Sequence, residues 1–398
     1  MNSWKSVVSS KSWPRQFEVP APGASPLEWE EGVSVLFPGL IRALSETPQD
    51  PVYHAEGDVW THTRMVVNAL LNSSEYEACQ CAERGILFYA ALLHDIAKPQ
   101  TTREVEGRVI APGHSAKGAI AARVALWEHD VPFELREQVC RLIEVHQVPF
   151  FAFQSNRGVS ADFLVRKLSV DRNNHLLSIL AEADIRGRVC RDQANILSEI
   201  SLFREQAAEL ECLDRPYSFP DAQTRVAYFR SHGGRPADYP IHVESPFEVI
   251  MLSGLPASGK NHWVEAQQMD RPVVSYDDLR AELGVRHGKK TGTIVHEATD
   301  RMRGWLRKRQ PFIVNATHLS RQMRQRTIDL VHDYGGYVRI VYCEAPKNEL
   351  IARNAARSSS LKNTKLMSMV HRWEVPGLDE VEWVDHLIQE KPRRICTP

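Results

Sequence analysis

Two groups of residues in this 398-residue chain combine types and spacings that chemistry needs. Late in the sequence, Gly254-Leu-Pro-Ala-Ser-Gly259-Lys260-Asn261 runs close to the pattern G-x-x-x-x-G-K-[ST]. Glycines let backbone N–H groups turn inward around a phosphate, and the helix that follows adds favourable partial charge. Gly254, Ser258, Gly259, Lys260, Asn261 and His262 are therefore expected to cradle a phosphorylated ligand, with Lys260 on the group being transferred. Position 261 holds Asn where a Ser or Thr hydroxyl normally meets Mg²⁺. An amide oxygen can also ligate a hard cation. Earlier in the chain stand His62, His94-Asp95, His114, His146 and Asp184. The dyad His94-Asp95 follows the apolar stretch Ile86–Leu93, which would bury its helix. A buried charged pair is costly unless it binds a metal or is otherwise paired.

A lone His-Asp pair is more often structural. Here the surroundings Gly57-Asp-Val-Trp-Thr-His62-Thr-Arg64 and Leu92-Leu-His94-Asp95-Ile-Ala-Lys98-Pro99 strengthen the metal reading. Imidazole and carboxylate ligands suit Mn, Fe, Co, Ni or Zn. Such an ion with an open position lowers the pKa of its water and supplies a nucleophile for hydrolysis. Four His and two Asp exceed the needs of one ion, so one or two are expected. Lys98 is placed to neutralise charge on a phosphate under attack. His54 and Glu56 lie nearby in sequence and read as structural.

Around the glycine-rich loop, Ser275-Tyr-Asp277-Asp278-Leu-Arg280 follows a strand. Alone, D-D-x-R is more often an acid-rich helix start. Beside such a loop, Asp277 can accept a proton from an incoming hydroxyl, and Arg280 can pin a phosphate of the acceptor. Phe312-Ile-Val-Asn315-Ala-Thr-His318 closes another strand. Arg353 and Arg357 share one helix face at i, i+4 and can clamp a nucleotide's phosphates. Arg301, Arg303, Arg307, Lys308 and Arg309 form a basic helix that either tracks a phosphate backbone or is simply solvated.

The elements that must position these groups differ between the halves. Residues 1–27, rich in Pro and Ser, read as a loose N-terminal arm. Residues 28–213 show helical patterns such as Ala82–Ala97 and Phe133–His146, with no convincing run of strands. Residues 214–246 carry five prolines and Gly233-Gly234 and read as a linker with one short helix around Gln223–Arg230. From 247 to 398 short apolar strands alternate with helices, which implies a parallel sheet with helices on both faces. The strands are expected at Phe247–Leu252, Pro272–Ser275, Phe312–Val314 and Tyr337–Cys343. Helices are expected over 293–309, 320–334, 346–356 and 363–374.

Formal net charge is −1, so any nucleic-acid binding must come from local patches. The seven cysteines are scattered without a C-x-x-C pair, which argues against a disulfide framework and a zinc ribbon. With no apolar signal core and no run of about 20 apolar residues, the expectation is a cytoplasmic protein without membrane contact.

In the C-terminal half, G-x-P-x-S-G-K, then D-D-x-R, N-A-T-H and R-x-x-x-R resemble the 5′-hydroxyl polynucleotide kinases of the bacteriophage type, over about 247–375. The resemblance implies that Asp277 is the general base, that Arg280 holds the acceptor's 3′-phosphate, and that Arg353 and Arg357 are lid arginines. It implies Mg²⁺ with ATP or GTP as donor. That family often has Asp where Asn315 stands and Asn where His318 stands. The N-terminal set resembles the HD phosphohydrolase superfamily, and His54–Thr102 is similar to the HD domain attached to bacterial CCA-adding enzymes. By match, His62, His94, Asp95 and Asp184 are metal ligands, while His114 and His146 serve a second metal or the phosphate. The activities implied are phosphomonoesterase and 2′,3′-cyclic phosphodiesterase on RNA ends.

The fold expected is thus an all-α HD helical bundle followed by an α/β P-loop domain. Their order resembles the bacterial HD-Pnk fusions, which heal RNA or DNA ends and hand them to a separate ligase. No ligase signature such as K-x-D-G is present. Two other readings stay open: a small-nucleotide kinase fused to an HD nucleotidase, and an NTP-gated regulatory protein.

Overall fold

Asp58 starts the first helix that matters to the site by accepting the Thr61 N–H at 2.8 Å; helix α1 then runs Val59–Leu71. Its apolar stripe Val59, Val66, Val67, Leu70 and Leu71 is buried, which leaves His62 on the inward face. Helix α2, Cys81–Leu93, opens on a capping box between Gln80 and Glu83 and is buried from Gly85 to its end. Helices α3 (His114–Glu128), α4 (Phe133–Val145) and α5 (Asn174–Arg186) complete the framework around one shared apolar core. The computed structural model describes residues 12–154, 158–242, 246–267, 269–285, 291–357 and 360–389.

The chain divides into two compact units, Met1–Ser218 and Phe219–Pro398. Among the described residues of the first, the strands are confined to a hairpin that sequence reasoning did not foresee, β1 (Arg103–Val105) against β2 (Arg108–Ile110), and the other elements are helical. Three-residue strands rich in Arg and Glu carry no readable alternation. Within the stretch read as a loose arm, residues 1–11 lie outside the described residues. Further along it, Phe17 is buried and Trp13 packs with it against the Tyr89 ring, 4.8 Å between the Trp13 and Tyr89 centroids. Two aromatics in a Pro- and Ser-rich segment were the signal for packing.

In the second unit, the short helix expected in the Pro-rich stretch forms over Ala222–Arg230 (α6). Arg225 ties it down by donating to the carbonyls of Leu378, Val381 and Glu382. Strands β3 (Phe247–Ser253), β4 (Val273–Ser275), β5 (Phe312–Asn315), β6 (Gly336–Glu344) and β7 (Trp383–Ile388) form a parallel sheet in the order β4-β5-β3-β6-β7. β3 is central and almost wholly buried, as its continuous apolar run requires. The intervening helices are α7 (Lys260–Gln267), α8 (Tyr276–Glu282), α9 (Thr291–Arg307), α10 (Arg321–Asp333) and α11 (Lys347–Ala356). The expected segment 363–374 is a short helix, Asn363–Ser368, followed by a 3₁₀ turn. The edge strand β7 escaped sequence reasoning because Asp385 and His386 break its apolar run and no residue of it is fully buried. Among the described residues no helix is long and apolar enough to cross a membrane, and Cys81, Cys140, Cys190, Cys212 and Cys343 are in no disulfide. Cys396 lies outside the described residues.

Candidate active sites

In the first unit the end of α1's first turn and the C-termini of α2 and α4 bring His62, His94 and His146 together, all fully buried. Asp95 follows α2, His114 begins α3, and Asp184 lies in the last turn of α5. His94, His114 and His146 each bond through Nδ1 to the carbonyl three residues earlier, Ala91, Ala111 and Ile143, all at 2.8 Å. His62 Nδ1 meets the Gly187 carbonyl at 3.1 Å. Gly187 permits this, since a Cβ there would stand 2.6 Å from the Val66 backbone nitrogen. A carbonyl only accepts, so Nδ1 carries the proton and Nε2 offers its lone pair.

Those lone pairs converge. His62 Nε2 lies 3.3 Å from His94 Nε2 and 3.2 Å from Asp184 Oδ1. His94 Nε2 lies 3.1 Å from Asp95 Oδ2, and His114 Nε2 3.5 Å from Asp95 Oδ1. Asp95 Oδ1 and His146 Nε2 are buried without a hydrogen-bond partner. So many acceptors facing one another require a cation. Burial opposes a charge on His94, but Asp95 and Asp184 outweigh burial and raise its pKa. Donor atoms fall into four overlapping triads, each within 4.8 Å: His62/His94/Asp95, His94/His146/Asp184 and Asp95/His114/His146 in the cluster itself, and His54/Glu56/His62 behind it. This nitrogen-rich set with two carboxylates fits a divalent transition ion. His62, His94, Asp95 and Asp184 would hold one, and the Asp95/His114/His146 triad is placed for a second.

Three further residues support the cluster. Arg188 grips Asp184 with two bonds of 3.0 and 2.9 Å. Lys98 stands 2.8 Å from Asp95 Oδ2 and donates to Gln49 Oε1 at 2.6 Å. Glu56 Oε1 bonds His54 Nδ1 at 2.7 Å and lies 3.1 Å from His62 Nδ1, while its Oε2 accepts the Val189 N–H. Burial alone would raise the Glu56 pKa, but these bonds hold it well below the usual carboxylate range. Burial lowers the His54 pKa to about 4. Glu56, read from the sequence as structural, thus orients His62. Arg188 could have been found from its i, i+4 spacing to Asp184. Gln49 had no sequence signal.

The second unit's site stands at the carboxyl ends of β3, β4 and β5. Gly254 has φ of 140°, and a Cβ there would lie 2.2 Å from the Cys343 carbonyl of β6, so only glycine lets the loop turn this close to the sheet. Lys260 is buried and donates to the carbonyls of Gly254 (2.9 Å) and Leu255 (2.7 Å). Ser258 is buried with no partner for its Oγ, whereas His262 is exposed. Asn261 Oδ1 accepts from Asn315 Nδ2 at 3.0 Å, which joins the loop to the end of β5. His318 is structural: its ring nitrogen Nδ1 bonds the Leu252 carbonyl at 2.8 Å, and it is buried.

Ser275 caps α8 by accepting the Asp278 N–H, which sets Asp277 in the first turn. Arg280 lies 3.3 Å from one Asp277 oxygen and Arg357 3.7 Å from the other. Asp277 and Arg357 are near enough to Lys260 for their charges to act on it. Arg353 pairs instead with Glu349 at 2.7 Å. The Ser-rich turn after Arg357 lies partly outside the described residues. Of the basic helix, Arg301 bonds Glu282 and Glu297, Arg303 bonds Asp300, and Arg309 lies over the Phe247 ring.

Burial lowers the Lys260 pKa to about 8. Anionic phosphates would raise it again, so binding above that pH takes up a proton. Nucleoside triphosphate affinity is expected to hold steady below pH 8 and to weaken above it, by at most about tenfold per pH unit. A dissociation constant that stays flat from neutral pH to well above 8 would contradict this.

Residues 59–186 match the HD domain and residues 249–376 the AAA domain. The chain is 37% identical over 83 residues to a multifunctional CCA protein of Halorhodospira halophila, covering 21% of this chain and 18% of the relative. It is 28% identical over 167 residues to a multifunctional CCA protein of Pasteurella multocida, covering 41% of this chain and 38% of the relative. The matched stretches thus span well under half of those relatives. Among solved structures, a gluconokinase from Sinorhizobium meliloti is similar at 18% identity and a TM-score of 0.28, over 37% of this chain and 85% of its own. The chain thus joins an N-terminal unit that matches the HD domain to a C-terminal P-loop unit that matches the AAA domain.

Proposed function

We propose that this protein heals nucleic-acid ends. The HD unit removes a 2′,3′-cyclic phosphate, or a 2′- or 3′-phosphate, from RNA. The P-loop unit phosphorylates a 5′-hydroxyl of RNA or DNA from ATP or GTP with Mg²⁺, and a separate ligase receives the product. The observation that carries the reading is that one chain holds both a histidine–aspartate cluster with a lysine beside it and a P-loop whose neighbours include a carboxylate flanked by two arginines. Lys98 and Arg188 supply positive charge around the cluster, as a phosphate under attack needs. Asp277 would accept the proton of the attacking hydroxyl, Arg280 would hold the acceptor, and Arg357, with Arg353 released from Glu349, would close on the donor phosphates.

One observation favours a smaller acceptor. Arg301 and Arg303 are already paired with acids, so α9 offers less net positive charge to a backbone than its sequence suggests. One synthetic RNA with a 5′-OH and a 2′,3′-cyclic phosphate decides between them. It is incubated with labelled ATP or GTP and Mg²⁺ and, separately, Mn²⁺, Co²⁺ or Ni²⁺. A gained 5′-phosphate and a lost 3′-terminal phosphate are the expected results. No change at either end, with turnover of free nucleosides and nucleotides, would transfer the assignment to small molecules.

A further inference from the structure

We propose that Tyr53, braced by Arg108, is the plate on which the substrate's terminal base stacks in the HD unit; this rests on the end-clearing reading above. The turn that carries Tyr53 is tied to the donor cluster at both ends. At one end Gln49 holds Lys98, which reaches Asp95. At the other, the His54 ring packs edge-on against His62, with centroids 4.8 Å apart. Between them Asp50 is buried; its Oδ1 accepts the Val52 N–H at 2.9 Å and its Oδ2 lies 3.3 Å from Arg108 Nε.

Arg108 opens β2, and the hairpin fixes it. Glu106 and Gly107, the turn residues, both have positive φ, 52° and 75°, as a type I′ turn requires. Its guanidinium lies over the Tyr53 ring, 5.4 Å from the centroid. Tyr53 nevertheless remains 44% exposed, next to Val52 at 63%. Tyr53 is thus an exposed aromatic held on one side by Arg108, one residue from the His54 ring that packs against His62. Every base has a π-face to lay on it, so such a plate accepts any base. The hairpin that sequence reasoning missed thereby acquires a purpose: it steadies the ring that receives the base while Lys98 faces the phosphate.

The test compares adenosine 2′-monophosphate with glycerol 2-phosphate, which has the ester but no base. In Tyr53→Ala, KM for the adenosine substrate should rise about tenfold. Its kcat should change little, the pattern of lost uniform binding. Glycerol 2-phosphate turnover should be unchanged, and Tyr53→Phe should restore the adenosine KM. Equal effects on both substrates, or none on either, would overturn the plate while leaving the phosphohydrolase intact. If the wild-type protein hydrolyses neither substrate with any of the metals above, the end-clearing reading fails and the plate falls with it.

Discussion

Asp95→Ala should lower hydrolysis by the HD unit by about 10³-fold or more, the scale of several kcal/mol of lost transition-state stabilisation. Phosphate transfer by the P-loop unit should stay at the wild-type rate. Asp95 is buried, touches His94, His114 and Lys98, and belongs to two of the four donor triads. Removing it therefore takes a ligand from either ion position at once. Metal bound per chain, measured by elemental analysis after dialysis, should fall in parallel. Glu56→Gln is the graded counterpart: it keeps His62, His94, Asp95, His114, His146 and Asp184 but removes the anion behind His62, and should weaken metal affinity by about 10–100-fold. A folded Asp95→Ala protein that keeps full hydrolysis would show that the cluster is structural. One that also loses phosphate transfer would show that the two activities are not independent.

Lys260→Ala and Asp277→Ala should each remove phosphate transfer and spare hydrolysis, but by different routes. Lys260 is the buried cation of the phosphate loop, so its loss should weaken triphosphate binding and slow transfer by about 10²–10³-fold. Asp277 stands outside the loop between Arg280 and Arg357. Its loss should lower kcat by about 10²–10⁴-fold and leave the triphosphate KM nearly unchanged. An Asp277→Ala protein with a raised triphosphate KM and normal kcat would reassign the carboxylate from proton acceptor to organiser of Arg357. The assay follows label transfer from ATP or GTP to a 5′-OH oligonucleotide.

What the sequence made legible follows the range of the interactions involved. Phe247–Ser253 could be read because a buried parallel strand must be apolar throughout, and the loop after it because a phosphate turn needs glycine at set places. The clustered histidines were readable because they punctuate helix ends. Trp383–Ile388 was not, since an edge strand is specified by its neighbour β6 and not by its own pattern. Glu56 and Gln49 were hidden for the same reason: Glu56 meets Val189 across 133 residues of sequence, and Gln49 meets Lys98 across 49. The contact of Asn261 with Asn315, 54 residues apart, is equally tertiary. A side chain whose task is to steady another leaves a mark in sequence only when the two are close along the chain, as Arg188 and Asp184 are, four residues apart.

Three imidazoles of the cluster are aimed by carbonyls three residues before them, at Ala91, Ala111 and Ile143. Their orientation is thus settled before any ion arrives, and little side-chain freedom remains to be lost on binding. A cage that needs no rearrangement cannot use rearrangement to discriminate. Its preference among divalent ions then follows the intrinsic order of nitrogen ligands, in which affinity climbs from manganese toward copper. Which ion occupies the cage in a cell becomes a question of supply, and the same polypeptide would run on different metals as the surroundings change.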